Sequence, residues 1–529
     1  MKKYQKKYRV YFIGAFVSIL ISNLFAVVLQ FFKGDVLDCA VAGEIQTTIK
    51  YAVLLITFIL CEVITYFCHR QFSARFVIGC TKELKHDIFA SILNRDFVSY
   101  KEQTQGEYIA KYTNEADTIK ERLFNMLPMF WDIFFKIIFV SVALFLLDWK
   151  IAIITIALLT TPLYIPKIIE KRLQNAQTAY IQAIEETLAN VNDWLAGFEL
   201  IKNYSIEKRV LEKFKSVNDK SMEKLLRDTQ LGAISQLITT LISYLSYFIV
   251  LVCATWLVLR SDFSPGDFFV AIGMIDQLSY PLISLAGITQ QLIAVKPACA
   301  SMEEFLESPN RKQSSAALKE IRSNIKFADV CFAYDNQTPI LDHFNLIIQK
   351  GERYLFKGPS GCGKTTTVNL LLRYFDITGG SIEIDNVPLS KFGSTYGCMT
   401  VVRQEATLFH DTLRNNLTMY QDVSESRIFE VLNGVGLGKY SNANALDSIV
   451  VEGGSNFSGG EKKRICLARA LLRDTDLLIL DEPLANLDAK TAECIEDLLI
   501  SIRDRTVIVV SHQFTEDKLK MFHRVVDFS

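Results

Sequence analysis

The chain has 529 residues, too many for one hydrophobic core and enough for two or more domains. Half of them are hydrophobic and the mean hydropathy is positive, which argues against an all-soluble protein and points to a membrane. The formal charge of −1 hides a segregation, with cations gathered at Lys2, Lys3, Lys6, Lys7 and Arg9 and in two long connections, so no nucleic-acid partner is implied.

Residues 1–9 read as a cytoplasmic N-terminus. Six apolar stretches follow, each long enough to cross a hydrocarbon core, which takes about 20 helical residues. They lie near Val10–Phe32, Tyr51–Cys68, Met126–Leu147, Ile151–Ile169, Ile234–Leu259 and Phe268–Val295, within a membrane domain over 10–300. Basic residues precede the first, and Ala40-Val41-Ala42 resembles a cleavage site, but the apolar run is too long for a signal peptide and ends well before those small residues. Lys and Arg crowd the connections at about 69–125 and 170–233 and are sparse at Lys33–Lys50, Asp148–Lys150 and Arg260–Asp267. The positive-inside rule then places the N-terminus and both long connections in the cytoplasm, and an even number of spans returns the C-terminal half there.

Both long connections have helical periodicity and few breakers. In Thr187–Lys220, for example, Leu188, Val191, Leu195 and Leu200 recur at helical spacing, predicting membrane helices that continue into the cytoplasm and are connected by a short turn. Glu62, Asp132, Lys136 and Asp276 are ionisable residues inside spans, where a charge usually faces a bundle interior or a water-filled path. Asp132 and Lys136 are spaced to neutralise each other on one helix. Glu62, Asp132 and Asp276 are the candidates for a polar translocation cavity. Pro162, Pro166 and Pro281 are candidate kink sites. Of the eleven cysteines none forms a CxxC pair or a recognisable metal spacing, and Cys39 alone is placed outside, so the C-terminal half is expected in a reducing cytosol.

Residues 301–323 read as a linker and 324–529 as a second domain. Gly358-Pro359-Ser360-Gly361-Cys362-Gly363-Lys364-Thr365, with Thr366 after it, fits the phosphate-loop pattern between a strand at Tyr354–Phe356 and a helix at Thr365–Arg373. The glycines let backbone N–H groups wrap phosphates at a helix N-terminus, Lys364 brings a point charge, and the Thr365 hydroxyl suits Mg2+. Leu477-Leu478-Ile479-Leu480 reads as a buried parallel strand ending in Asp481, placed for the metal, and Glu482, placed to polarise an attacking water.

Phe457-Ser458-Gly459-Gly460-Glu461, followed by a basic helical stretch from Lys462, resembles the signature of ATP-binding cassette proteins. Four further elements match that family in order: Tyr334 as the aromatic that stacks on adenine, Gln404 as the glutamine that senses Mg2+ and the membrane domain, Ala485-Asn486-Leu487-Asp488 as the D-loop, and His512 as the switch histidine toward the γ-phosphate. Gln105-Gly106-Glu107-Tyr108-Ile109 and Phe198-Glu199-Leu200-Ile201-Lys202-Asn203-Tyr204 are similar to the family's two long cytoplasmic loops, the second near its coupling helix.

The whole chain thus resembles an exporter-type half-transporter. The resemblance implies an all-α six-helix transmembrane domain followed by an α/β P-loop NTPase with a helical subdomain, with ATP and Mg2+ as cofactors. It further implies a second half-transporter as partner, identical or not, a lipid membrane (the plasma membrane of a bacterium), and a drug, lipid or peptide as cargo. ATP is then expected on Tyr334, Gly358–Thr366 and Gln404 of one chain and on Ser458, Gly459 and Gly460 of the other. Mg2+ is expected on Thr365, Gln404 and Asp481, with Glu482 and His512 catalytic. The alternatives are an importer built on the same architecture and an ATP-switched regulatory or channel protein. Four positions depart from the family: Phe457 for leucine, Glu461 for glutamine, Pro483 where alanine is frequent, and Ala485 for serine. The chain stops at Ser529, ahead of the final strands and helices that relatives usually carry.

Overall fold

The computed structural model describes residues 1–528 apart from 161–164, 261–262, 308–317, 335–338, 360, 485–488, 512–513, 515 and 521. It divides into two units: Met1–Ile92 with Gln105–Ser308, and Leu93–Thr104 with Pro309–Ser529.

The first unit is helical. A short α1 (Lys2–Lys7) leads into α2 (Arg9–Val41) and α3 (Ile45–Leu93). After α4 (Phe97–Lys101), which belongs to the second unit, the run Gln105–Leu147 forms α5, with π-turns at Lys111–Glu115 and Lys120–Phe124. Then come α6 (Trp149–Leu159), α7 (Ile165–Ala196), α8 (Phe198–Asn203), α9 (Glu207–Leu259) and α10 (Pro265–Glu307), the last with Pro281 inside it. Among the described residues five helices, α2, α3, α5, α9 and α10, are long and apolar enough to cross a membrane. The expected fourth span begins as α6, eleven residues long, and residues 161–164, Pro162 among them, lie outside the described residues.

One apolar core joins α5, α6, α9 and α10 through Val140, Leu144, Ile151, Val250, Met274 and Leu278. A second, around Tyr4, Phe76, Leu84, Ile119, Phe124 and Met302, joins α1, α3, α5 and α10. Asp38 near the end of α2 accepts hydrogen bonds from Ser264 Oγ and Gly266 N, both at 2.6 Å, and so ties down the start of α10. A Cβ at Gly266 would collide with that carboxylate and with Gly34 O, so the close approach requires glycine. The helices expected to run through Thr187–Lys220 and to be joined by a short turn are α7 and α9, with the short α8 between them. Around the stretch read as a linker, α10 runs through Glu307, and Leu318 and Ile321 are buried in the core of the second unit.

The second unit is α/β. Its main sheet is wholly parallel, in the order β6 (Met399–Val402), β7 (Leu477–Asp481), β8 (Thr506–Val510), β3 (Arg353–Lys357), β9 (Arg524–Asp527). Every residue of β7 and β8 is buried, as continuous apolar strands of a covered parallel sheet should be. Side-chain alternation divides them between two cores: Leu477, Ile479, Ile508, Val510, Tyr354 and Phe356 face one, while Leu478, Leu480, Val507, Val509 and Leu355 face the other. An antiparallel sheet, β2 (Leu341–Gln349), β1 (Asn324–Phe332), β4 (Gly379–Ile384), β5 (Val387–Pro388), packs on the first core. Helices Glu425–Gly434 and Gly459–Leu472 pack on the second.

Candidate functional site

Parallel strands end at one edge of their sheet, and in open α/β sheets ligands bind at that edge. The loops leaving β3, β6, β7 and β8 carry, in turn, the phosphate loop, Gln404, Asp481 with Glu482, and Ser511 before His512. Sequence positions more than a hundred residues apart are brought together by strand direction alone.

Within the phosphate loop Gly358, Gly361 and Gly363 have φ of 148°, 85° and 101°, values that L side chains rarely adopt. Gly363 opens the helix Lys364–Leu371, and a Cβ on it would come within 2.9 Å of Leu341 Cδ2. The Lys364 ammonium is buried and donates to Gly358 O at 2.8 Å and Pro359 O at 2.7 Å, curled inside the cradle that its own loop makes. Thr365 Oγ1 lies 3.5 Å from Asp481 Oδ2 across the gap between β3 and β7. That pairing of a hydroxyl and a carboxylate oxygen fits a small hard cation such as Mg2+. Burial pushes the Asp481 carboxyl up, against the pull of Arg403, whose Nη1 is 4.0 Å away.

Glu482 stands just past β7 with φ of 52°, and its N–H donates to Val510 O at 2.9 Å. That left-handed residue turns the chain sharply at the strand end, a local cost that functional positions tend to carry. Gln404 is exposed beyond the end of β6. Tyr334 keeps an exposed ring, with its hydroxyl 3.2 Å from Thr366 Oγ1 and its edge against Phe332 and Phe375. Ser360, the D-loop 485–488 and His512 lie outside the described residues.

The signature residues occupy another element. Ser458 is the N-cap of Gly459–Leu472, and with Glu461 it forms a capping box that satisfies two helix-end N–H groups. Glu461 Oε2 accepts from Ser458 N at 2.8 Å, while its Oε1 meets Tyr440 Oη at 3.0 Å and Lys439 Nζ at 2.6 Å. Phe457, the other departure within the signature itself, is buried with its ring edge-on to the same Tyr440. The two unusual residues thus share one neighbour. Among the described residues no hydrogen bond joins Ser458–Gly460 to the phosphate loop.

Sequence reasoning missed α4. Asp96 caps it by accepting from Ser99 N at 2.8 Å, and the Phe97 ring stacks on Tyr374 at 4.0 Å with 9° between planes. The Arg403 guanidinium sits 5.4 Å from the same Tyr374 ring and donates to Asn369 Oδ1 at 2.7 Å. The similarity seen at Gln105–Ile109 fell just downstream of this helix. An aromatic beside an Asp-x-x-Ser cap was the only local signal.

In the membrane unit, Asp132 and Lys136 do not pair among the described residues. Asp132 Oδ1 accepts from Asn23 Nδ2 at 3.0 Å and borders a cavity with Tyr66, His69 and Tyr280. Lys136 lines a second cavity of about 470 Å3 with Gln30, Lys33 and Asp276. Glu62 lines neither.

Comparison with known proteins follows the same division. Residues 10–282 match the family described as ABC transporter transmembrane region, and residues 341–485 match the one described as ABC transporter. The chain belongs to the ABC transporters. The multidrug resistance-like ATP-binding protein MdlB of Buchnera aphidicola is 30% identical to it, over 87% of this chain and 80% of the relative. The ATP-dependent lipid A-core flippase of Syntrophus aciditrophicus is 26% identical, over 82% and 73%. Among solved structures, a bacterial Atm1-family ABC exporter with ATP bound superposes with a TM-score of 0.80 at 21% identity, covering 98% of this chain and 93% of that one, a likeness of fold. This ABC transporter therefore joins a membrane-spanning domain to a nucleotide-binding, ATP-hydrolysing cassette, and half-transporters of its kind work as dimers.

Proposed function

We propose that the chain is one half of an ATP-driven exporter of a bacterial plasma membrane, moving a drug, lipid or peptide outward by alternating access. The observation that carries this reading is the assembly at one sheet edge of Lys364, Thr365, Asp481 and Glu482, with an intact Ser458 cap on a separate helix. The names of the relatives, multidrug resistance-like and lipid A-core flippase, favour export over uptake.

In this reading Gly358–Gly363 and the first N–H groups of the helix at Lys364 hold phosphate oxygens, and Lys364 swings from its own loop carbonyls to meet them. Tyr334 packs on the base. Thr365 and Asp481, with Gln404, would hold Mg2+, which supplies charge neutralisation across the β- and γ-phosphates. Glu482 orients water for in-line attack and takes its proton, and His512 contacts the γ-phosphate oxygens. Ser458, Gly459 and Gly460 close on the nucleotide of the partner chain. ATP shifts the membrane units only because it binds the closed pair better than the open one. Phe97 stacks on Tyr374 within the cassette unit, and Phe198, Leu200 and Tyr204 around α8 are exposed apolar side chains of the membrane unit. Asp132 and Asp276 lie along the path, with Glu62 a third acidic group of the spans.

The test uses the full chain in lipid nanodiscs and in inside-out vesicles. Mg2+-dependent ATPase should fall by at least about a hundredfold in Glu482→Gln, the usual weight of a general base. Inside-out vesicles should accumulate cargo with ATP. Hydrolysis without accumulation, together with ATP-dependent uptake by intact cells, would establish the importer; ATPase untouched by Glu482→Gln would remove the pump altogether.

A further inference from the structure

On the antiparallel sheet of the cassette four side chains of β1 and β2 converge. Cys331 lies near the end of β1, and Asp342 and His343 lie at the start of β2. One ligand atom from each of the three falls within 4.8 Å of the others. His343 Nε2 stands 3.8 Å from Asp342 Oδ1, and Cys331 Sγ receives the His343 backbone N–H at 3.4 Å. The fourth side chain, Asp329, sits behind the imidazole with Oδ1 2.7 Å from His343 Nδ1. A carboxylate only accepts, so that contact keeps a proton on Nδ1 and leaves Nε2, on the side of Asp342, as the nitrogen a metal would take. A carboxylate behind a histidine whose other nitrogen faces further ligands is the arrangement that orients imidazoles toward zinc. Sequence spacing gave no hint of it, because ten residues separate Cys331 from Asp342 and only the hairpin brings them together.

We propose that Cys331, Asp342 and His343 bind a borderline-soft divalent cation of the Zn2+ class, with Asp329 as the residue that positions the imidazole. Sulfur, nitrogen and oxygen donors together suit tetrahedral zinc, with ligand distances of about 2.0–2.3 Å and water in the fourth position. Asp342 and His343 are exposed, so small rotations bring the three donors to that distance. Binding takes up the thiolate, and the displaced thiol proton goes to solvent. The site braces the two strands that flank the connection carrying Tyr334.

The test is a Co2+ titration of the untagged full-length transporter in nanodiscs, stripped with EDTA and dialysed. One Co2+ per chain should give a thiolate-to-cobalt band in the near ultraviolet, bleached by Zn2+. Cys331→Ser should abolish the band while leaving the Mg2+-dependent ATPase of the metal-stripped protein at the wild-type rate. Asp329→Asn should keep the band with affinity about tenfold or more weaker, and the exposed His343→Ala should weaken it further. No band in the wild type, or a band undiminished in both Cys331→Ser and His343→Ala, overturns the proposal.

Discussion

Glu461 shows how a single departure from a family pattern is absorbed. Its carboxyl is held down to about 2, chiefly by the Lys439 ammonium, with Ser458 N–H and the Tyr440 hydroxyl adding to the effect and burial opposing it. A depressed carboxyl contributes stability that is complete above its ordinary value near about 4.3 and is lost as the pH falls toward 2. Glu461→Gln keeps an amide oxygen for Ser458 N–H, puts an NH2 where Oε1 accepted from Tyr440 Oη, and loses the ion pair with Lys439, whose side chain is 66% exposed. Exposed pairs are worth about 0–1 kcal/mol, so the melting temperature at pH 7 should drop little, and stability between pH 4 and pH 2 should fall less steeply than in the wild type. ATPase should stay within about threefold, roughly 0.7 kcal/mol of barrier. A tenfold loss would mean that the charge itself acts at the nucleotide. The Ser-x-x-Glu spacing of the capping box was legible in the sequence, because both partners lie in one helical turn. Tyr440 and Lys439 were not, because they reach Glu461 from another element and no local pattern ties them to it.

Between elements, the strand ends were legible and the aromatic link was not. The apolar run before Asp481 predicted a parallel strand, and parallel strands dictate where their loops emerge. Nothing in the sequence linked α4 to Tyr374 and then to Arg403, since each contact joins segments far apart in the chain. Arg403 is the charge nearest Asp481 among the described ion pairs, and it offsets the upward push of burial on that carboxyl. Arg403→Leu removes that offset, so Asp481 takes up its proton at higher pH. The acid limb of the ATPase profile should shift upward, and half-saturation with Mg2+ should require more metal; an unmoved profile would show that Arg403 is structural only. Phe97→Ala forfeits a stacked ring pair worth about 0.5–1.5 kcal/mol beyond its buried area. Basal hydrolysis should survive, while stimulation by transported cargo disappears. Equal stimulation in variant and wild type would deny α4 a part in coupling.

At the scale of the molecule, hydropathy and charge placed the spans, but the polar path needed three-dimensional neighbours. Asp132 found Asn23 on another helix instead of Lys136 on its own, and Lys136 shares a cavity with Asp276. Large apolar side chains, Leu188, Leu195, Leu226, Leu237, Tyr244 and Phe248 among them, stay exposed along α7 and α9, and the apolar stretch of α3 is unburied by its own chain. Surface of that kind is covered by lipid within a bilayer, and any part beyond the bilayer calls for protein. A dimer with composite sites has a consequence that pairs of variants can read. Lys364→Ala disables the phosphate loop of its own chain, and Ser458→Glu places a repelling charge where the signature would meet a γ-phosphate. Each variant alone should be inactive as a homodimer. If the signature of one chain completes the site of the other, a mixed dimer gathers both lesions into one site and leaves the second intact. Co-expression with two different tags, followed by sequential purification of the mixed dimer, should therefore recover a substantial part of wild-type ATPase. If each site were built within a single chain, every site in the mixed dimer would carry one lesion and activity would stay absent.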